Sequence, residues 1–252
     1  MRYFERLITV IVITLTSFSC LHIPSLANGN QRNYDEPPPK TNGRSAGSRG
    51  CSNNELVSQN APPALILLSP DSTQAKTVTK NPIFAWFVRD SQPRQIQFKL
   101  YKEDTAKQEY KLIKATQDKE FQSKPGIMVL TMPKNIVLTT GKKYLWQVEL
   151  VCDRNRPSSN LFAEAELKVV PMQPKFKTEL TRAVNQDQKA MLYAKNGLLY
   201  DALMAVLTRN KSSASQQSTM NKLKLSLLNK IALKPSELKK LQNSQIHLIE
   251  IK

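Results

Sequence analysis

Few side chains in this sequence are placed to do chemistry. Glu164 and Glu166 lie two residues apart on a predicted strand, so their carboxyl groups share one face, as paired carboxylates in glycoside hydrolysis do. Alternate polar positions on a strand are, however, usually the solvent-facing side of a sheet. A Ser-His-Asp or Cys-His site would depend on His247 near the C-terminus, because His22 falls in a segment that we expect to be removed. We therefore predict no catalytic residue and no enzyme, and hydrolase activity is the weakest alternative.

Metal and cofactor motifs are also missing from the sequence. Neither glycine-rich phosphate motif occurs, whether Gly-x-x-x-x-Gly-Lys-Ser/Thr or Gly-x-Gly-x-x-Gly. Histidines and cysteines are too few for a zinc site if the cysteines pair with each other. Four aspartates at predicted strand ends or in loops could bind calcium, but their spacing fits no calcium loop: Asp90, Asp104, Asp118 and Asp153. We predict no metal and no cofactor.

Residues 1–27 have the layout of a secretory signal peptide. Arg2 and Arg6 precede an apolar run at residues 7–18, and Ser25-Leu26-Ala27 supplies a small-x-small cleavage site. The run is shorter than the ~20 residues of a membrane span, and we expect no transmembrane segment in the remaining chain. These features predict export to the periplasm or the cell exterior.

Export decides the chemistry of the cysteines. Cleavage after Ala27 removes Cys20 and leaves Cys51 and Cys152, and two thiols in an oxidising compartment are a natural pair. We predict a disulfide between them, with two unrelated thiols as the alternative. Lipoprotein processing at Cys20 is a rival interpretation of the N-terminus, although Ser17-Phe18-Ser19 matches the usual Leu-small-small pattern poorly.

The strongest global signal is charge. The 252 residues carry 37 Lys and Arg against 20 Asp and Glu, a formal net charge of +17. Such a charge attracts anionic polymers over roughly 8–10 Å at ordinary salt, or it simply keeps an exported protein soluble. Residues 28–60 are too polar to bury a core and are predicted to form a flexible leader. Four side chains, in this leader or at a later turn, are possible anion contacts: Arg44, Arg49, Lys142 and Lys143.

Residues 61–172 alternate short apolar runs with turn residues, which predicts a sandwich of two antiparallel sheets. Leu138-x-x-Gly141-x-x-Tyr144 resembles the tyrosine corner of immunoglobulin-like and fibronectin-like domains. Trp86, Tyr144 and Trp146 are predicted core residues, and a carbohydrate platform on either tryptophan is the alternative. The predicted strands are Leu65–Leu68, Ile83–Val88, Ile96–Tyr101, Tyr110–Ala115, Ile127–Met132, Tyr144–Val151 and Phe162–Val170.

One strand is central to this prediction. Along it Tyr144, Trp146, Val148 and Leu150 recur with period two and share a face. The intervening residues, such as Gln147, form a more polar side. This strand ends at a cysteine and is the best candidate for the middle of the core.

Residues 175–252 change to a helical pattern and are predicted to pack on the sandwich. Apolar gaps of three and four indicate helices at Phe176–Lys195 and Leu199–Thr208, joined at Asn196-Gly197 into a helical hairpin. A further helix is predicted at Met220–Ile231, a short one from Pro235, and a short strand from Ile246. The turn is similar to that of a tetratricopeptide repeat, though one copy cannot be stable alone. Its marker residues are Tyr193, Gly197, Tyr200, Asp201 and Ala202.

The order of short motifs resembles that of a cyanobacterial family of exported proteins, domain of unknown function 928. The motifs run over residues 43–230 and are Arg49-Gly50-Cys51, Pro82-x-Phe84-x-Trp86-Phe87, Phe98-x-Leu100-Tyr101, Pro125-Gly126-Ile127, Gly141-Lys142-x-Tyr144-x-Trp146, Val151-Cys152-Asp153 and Tyr193-Ala194 through Asp201-Ala202-Leu203. The resemblance implies export, a cysteine pair and a sandwich followed by helices. It implies no activity and no catalytic residue.

Two functions of different classes are compatible with these features. The first is a non-catalytic exported module that holds a protein partner at a sheet edge or at the groove of the helical hairpin. The second is an electrostatic binder of anionic polysaccharide or lipopolysaccharide. Nucleic acid is disfavoured, because no stripe of aromatic residues alternates with lysines and export separates the protein from such a ligand.

Overall fold

The structure is a computed structural model that describes residues 41, 43–45, 51, 61–70, 75–116, 121–209 and 214–250. All of them belong to one compact unit, Tyr34–Lys252. The predicted signal peptide with Cys20, the candidate anion contact Arg49 and the candidate calcium ligand Asp118 lie outside the described residues.

In the described part of the chain, nine strands form two sheets. The first sheet has the order β1-β3-β6-β9 and the second β2-β8-β7-β4-β5, and every pairing is antiparallel except β2 with β8 and β6 with β9. The strands are β1 Leu65–Leu67, β2 Lys76–Thr77, β3 Ile83–Val88, β4 Gln95–Asp104, β5 Glu109–Thr116, β6 Gly126–Thr131, β7 Lys143–Val151, β8 Leu161–Val169 and β9 Ile246–Glu250. The seven strands predicted for residues 61–172 are all present. The strand that was missed, β2, has only two residues and no periodicity of its own.

Aromatic rings join the two sheets into one core. The ring of Phe84 on β3 lies 5.1 Å from that of Phe98 on β4 and 5.0 Å from that of Trp146 on β7, measured between centroids. Trp86 and Trp146 are completely buried, and Tyr144 is 1% exposed. The predicted core residues are therefore in the core, and neither tryptophan offers a surface for carbohydrate.

Both faces of β7 are buried, which corrects the expectation of one polar side. Gln147 is only 4% exposed. It lies in register between Lys99 of β4 and Glu164 of β8, so side chains from both neighbouring strands flank it. At the entrance to β7, the backbone N–H of Thr139 donates a hydrogen bond of 2.7 Å to the hydroxyl of Tyr144. This bond ties the start of β7 to the segment that precedes it.

Among the described residues, five helices lie between β8 and β9 in chain order. They are α1 Pro174–Arg182, α2 Gln186–Lys195, α3 Leu199–Leu207, α4 Ala214–Asn229 and α5 Pro235–Gln242, and a single 3₁₀ turn at Pro157–Ser159 precedes β8. The predicted helix at Phe176–Lys195 is wrong, because the chain leaves the helical conformation after Arg182. Asn185 is extended, and its side chain accepts a bond from the backbone N–H of Gln188, so that it caps a new helix. The predicted turn after Lys195 is present, with Gly197 at φ +72°. No helix among the described residues has the length and apolarity of a bilayer span.

Part of the predicted flexible leader is bonded to both sheets, which corrects that expectation for residues 41 and 43–45. The backbone N–H of Gly43 donates to the carbonyl of Glu164 on β8 at 2.8 Å. The carbonyl of Gly43 accepts from the N–H of Leu67 on β1 at 2.7 Å. This short segment therefore bridges β1 of the first sheet and β8 of the second.

Candidate functional site

An open cleft of about 320 Å³ lies between the end of α1 and one face of α2. Its lining is mostly apolar in surface, although several of the side chains are charged at their tips. The lining residues are Glu179, Arg182, Ala183, Gln188, Met191, Leu192 and Lys195. We call this feature the α1–α2 cleft.

Helix α2 uses two different faces. Asp187 and Ala190 are buried towards the rest of the molecule. The four cleft-lining residues from Gln188 to Lys195 have the spacing i, i+3, i+4, i+7, which places them in one stripe along the helix. Within this stripe Met191 is 44% exposed, and Val184, in the link before α2, is 87% exposed. The single helix predicted at Phe176–Lys195 would have contained both residues, whereas in the structure Val184 lies in the link between α1 and α2.

The rim of the cleft is basic. Arg182 and Lys195 line it and are exposed. The two helices also carry Lys175, Lys177 and Lys189, against two acidic residues. One of these acids, Asp187, is already held by Arg209 at the end of α3, with an Nε–Oδ1 distance of 2.9 Å. Glu179 is the other and also lines the cleft, so the lining side chains carry two positive charges and one negative charge.

Helix α3, which packs against α2, is fixed to the sheets. Asp201, in the first turn of α3, is 6% exposed and accepts three hydrogen bonds from the segment that leaves β2. The hydroxyls of Thr77 and Thr79 donate at 2.6 and 3.2 Å, and the N–H of Val78 donates at 3.1 Å. Burial raises the pKa of this carboxyl to about 6, although the three donated bonds oppose the rise.

The remaining marker residues of the predicted turn also serve this attachment. The hydroxyl of Tyr200 donates to the carbonyl of Ile83 on β3 at 2.6 Å, and burial raises the pKa of Tyr200 well above its ordinary value. Ala202 is completely buried. The ring of Tyr193 lies 5.7 Å from that of Phe176, which is 5% exposed and holds α1 against α2. The marker residues found in the sequence therefore attach α3 to the strands and α1 to α2. None of them lines the α1–α2 cleft.

Cys51 and Cys152 form a disulfide, with Cα atoms 4.9 Å apart and a sequence separation of 101. Each is also held by a backbone bond. The N–H of Cys51 donates to Asp90 at 3.0 Å, and that of Cys152 donates to the Asn160 side chain at 3.0 Å. Asp90 therefore positions the cysteine and pairs with a neighbouring arginine, which accounts for one of the four candidate calcium ligands.

Three of the candidate anion contacts, Arg44, Lys142 and Lys143, lie in the described residues and differ in their surroundings. Arg44 is withdrawn into an ion pair with Glu237 of α5, at 3.0 Å between Nη2 and Oε2, with side chains 14% and 2% exposed. It also donates to the carbonyl of Ile231. Lys143 is exposed, and its Nζ lies 3.8 Å from Oε1 of Glu103. Lys142 is half-buried. The prediction of an anion contact at Arg44 is therefore wrong, because a partner 193 residues away in sequence occupies its guanidinium.

Glu164 and Glu166 do not form the exposed polar side that the strand pattern favours. Glu164 is 3% exposed. Glu166 accepts a hydrogen bond of 3.3 Å from the hydroxyl of Tyr110, whose pKa is raised by burial and by the charges of Glu166 and Glu103. Neither glutamate lines the α1–α2 cleft.

His247 lies in β9 with Nε2 3.0 Å from the carbonyl of Pro125. No group of three or more His, Cys, Asp or Glu suited to a metal ion occurs in the part of the chain that the structure describes.

Comparison with known protein families shows to which family this chain belongs. The family described as Domain of Unknown Function (DUF928) matches residues 44–242, well over half of the sequence. The chain belongs to this family. The resemblance suggested by the ordered motifs is thus confirmed, and the matched span covers β1 to β8, the disulfide and the α1–α2 cleft, but not β9. No curated protein matches the chain, and neither does any solved structure.

Proposed function

We propose that this DUF928 member is an exported, non-catalytic binding module that engages a protein partner at the cell envelope through the α1–α2 cleft. The observation that carries the proposal is the exposed apolar floor of the cleft, where Met191 is 44% exposed and lies beside Leu192 and Ala183. Open apolar surface bordered by charged side chains is typical of protein interaction sites.

The cleft rests on a rigid support, which suits a binding role. Asp201 and Tyr200 tie α3 to the strands, and Asp187 is bonded to Arg209. A preorganised surface loses less conformational entropy when a partner binds than a mobile one does. The apolar floor of the cleft is therefore presented in a fixed position.

The architecture that we propose is an immunoglobulin-like sandwich followed by a helical hairpin at α2 and α3. Two features support it. In the first sheet β1, β3 and β6 are adjacent, and in the second β8, β7, β4 and β5 are adjacent, the arrangement of immunoglobulin strands A-B-E and G-F-C with an added edge strand. Thr139 and Tyr144 form the bond of a tyrosine corner.

Export is supported by the N-terminal sequence pattern and by the cysteine pair. A disulfide persists in oxidising compartments and is rare in the cytosol. The resemblance to a cyanobacterial exported family indicates the periplasm or the exterior as the place of action. A lipid anchor at Cys20 would keep the same module at the membrane surface.

Anionic polysaccharide or lipopolysaccharide is the second candidate ligand, and the net charge of +17 favours it. The predicted contacts weaken this candidate, because Arg44 is engaged by Glu237. Retention on heparin that persists to high salt would favour the polymer, whereas elution at low salt would favour the protein partner.

Photo-cross-linking in the native host tests the proposal. A photoreactive amino acid replaces Gln188, which lines the cleft and is exposed, or Val137, which is 59% exposed between β6 and β7. We expect a discrete protein adduct from position 188 that position 137 does not give, identified by mass spectrometry. An absence of adducts at position 188, or the same adducts from both positions, would contradict a partner at the cleft.

A further inference from the structure

We infer that the partner presents an acidic amphipathic α-helix to the α1–α2 cleft. This inference rests on the proposed function and adds the chemistry of the partner. Two observations carry it, namely the helical geometry of the cleft walls and the sign of the charge around them.

The geometry of the cleft suits a helix better than an extended strand. One wall is the stripe on α2 that contains Met191 and Leu192, and the other is the last turn of α1, where Glu179 and Arg182 are three residues apart. Rows of side chains at i, i+3, i+4 and i+7 form ridges and grooves into which a further helix packs. A strand would instead require a free sheet edge with unpaired backbone groups, which two helices do not offer.

The apolar floor defines the central stripe of the occupant. Met191 and Leu192 lie one residue apart on α2, and Ala183 provides a small surface opposite them. A helix with leucines at i, i+3, i+4 and i+7 would cover this floor. Methionine is unbranched and flexible, so it can adjust to the side chains of a partner.

The charged rim defines the flanks of the occupant. Arg182 and Lys195 border the floor, and Lys175, Lys177 and Lys189 add positive charge on the same two helices. Because Asp187 is taken by Arg209, Glu179 is the remaining acid on these helices. Glutamates on both flanks of the occupant's leucine stripe complement this rim. Exposed ion pairs are individually weak, so they contribute more to selectivity and association rate than to affinity.

Two synthetic peptides of about five helical turns test the chemistry. Both carry the same leucine stripe, and their other positions are mainly Glu in the first peptide and mainly Lys in the second. Binding to the purified protein is measured by fluorescence anisotropy at low and at moderate salt. We expect the Glu peptide to bind at least about tenfold more tightly than the Lys peptide, with an advantage that shrinks as salt screens the rim.

Charge-reversal variants of the protein test whether the basic rim selects the Glu peptide. The double variant Arg182→Glu/Lys195→Glu should lose at least about tenfold in affinity for the Glu peptide and gain affinity for the Lys peptide. Its matched control is Lys222→Glu/Lys230→Glu, which makes the same change of charge at exposed positions in α4 and just after it. The control should leave the preference for the Glu peptide in place.

A second pair of variants tests the apolar floor. Met191→Glu should weaken the Glu peptide by about tenfold or more, because it places a like charge in the centre of the contact. Val137→Glu, a change at an exposed apolar residue in the β6–β7 loop, should not. Unchanged thermal unfolding and circular dichroism would establish that each variant is folded.

Four outcomes would overturn the inference. They are equal binding of both peptides, binding of neither, loss of the Glu preference in the α4 control, and an unchanged preference in Arg182→Glu/Lys195→Glu. If position 188 still cross-links to a protein in the native host, a partner at the cleft stands and only its acidic helical chemistry is wrong. If both experiments fail, the proposed function fails as well.

Discussion

The carboxylate of Asp201 accepts a hydrogen bond of 2.6 Å from the hydroxyl of Thr77, although the two residues are 124 positions apart. Asp201 lies in the first turn of α3 and Thr77 ends β2, so this contact joins the helices to the second sheet. The attached Val78 and Thr79 donate to the same carboxylate, which makes Asp201 the meeting point of three donors in a buried place. The predictions below start from this contact.

Replacing Asp201 by alanine is expected to lower the free energy of unfolding by about 2–4 kcal/mol. The physical reason is that the substitution leaves buried donors without an acceptor, including the backbone N–H of Val78. Chemical denaturation at neutral pH measures the change. The matched control is Asp104→Ala, whose carboxylate accepts one exposed bond from Ala106 and should cost less than about 1 kcal/mol. Equal losses in both variants would refute the role given to Asp201.

The stability of the protein should also depend on the protonation of Asp201. Its pKa is raised to about 6 in the folded state, while the unfolded chain has an ordinary value of about 3.9. The folded state therefore binds the proton more tightly, and this group contributes stability that is present below about pH 4 and is lost as pH rises through about 6. The protonation of Asp201 contributes at most about 3 kcal/mol to the free energy of unfolding.

Comparison of the wild-type protein with Asp201→Asn isolates this contribution. The amide of Asp201→Asn does not titrate. The unfolding free energy of the wild type relative to that of Asp201→Asn should therefore be higher at pH 4 than at pH 6.5. Denaturation curves at four pH values in this window measure it. A difference that stays constant with pH would contradict the raised pKa.

The disulfide is expected to stabilise the fold through the long loop that it closes. Removing both sulfurs in Cys51→Ala/Cys152→Ala should lower the unfolding free energy by about 2–5 kcal/mol. Reductant should destabilise the wild type by a similar amount and leave the double variant unaffected. An intact mass that shows two free thiols after purification under oxidising conditions would disprove the bond.

The ion pair between Arg44 and Glu237 should be strongly coupled. Glu237→Gln is expected to cost about 3–5 kcal/mol, because it leaves the buried guanidinium of Arg44 without its counter-charge. The double variant Arg44→Met/Glu237→Met should recover part of this loss. A double-mutant cycle made of Arg44→Met, Glu237→Met and the double variant, measured by chemical denaturation, gives the coupling energy. Additive effects of the two single changes would show that the pair does not hold α5 to the N-terminal segment.

Gly126 is predicted to tolerate no side chain. A Cβ at this position would lie 2.5 Å from the backbone carbonyl oxygen of Gln245, which leads into β9, and its φ of +113° is unfavourable for other residues. Gly126→Ala should therefore destabilise the protein more than Gly197→Ala, whose Cβ meets nothing within 4 Å and whose cost is about 1–2 kcal/mol from its φ of +72°. Thermal unfolding of the two variants decides between them. Equal destabilisation of the two variants would mean that the backbone of Gln245 does not pack closely against Gly126.

Local patterns in the sequence predicted much of the fold. The alternation of Tyr144, Trp146, Val148 and Leu150 predicted a buried strand, and all four are at most 1% exposed. A period-two pattern directly reflects which side of a strand faces the core. It can therefore be recognised in the sequence without knowing which strands lie next to it. The number of cysteines left after a predicted signal peptide identified the pair that is bonded. The order of short motifs was enough to recognise the family.

The tertiary structure alone decided the features that depend on distant partners. Arg44 was assigned to a flexible leader, because nothing near it in sequence indicates that Glu237 lies beside it. The helix break at Asn185, which separates α1 from α2, was not apparent in the apolar pattern that predicted one continuous helix. Periodicity records only neighbours within a turn or two of the chain, whereas ion pairs, the strand β2 and the α1–α2 cleft arise where segments remote in sequence meet. Family, strands and cysteines were thus determined by the sequence, and the cleft by the packing of its helices.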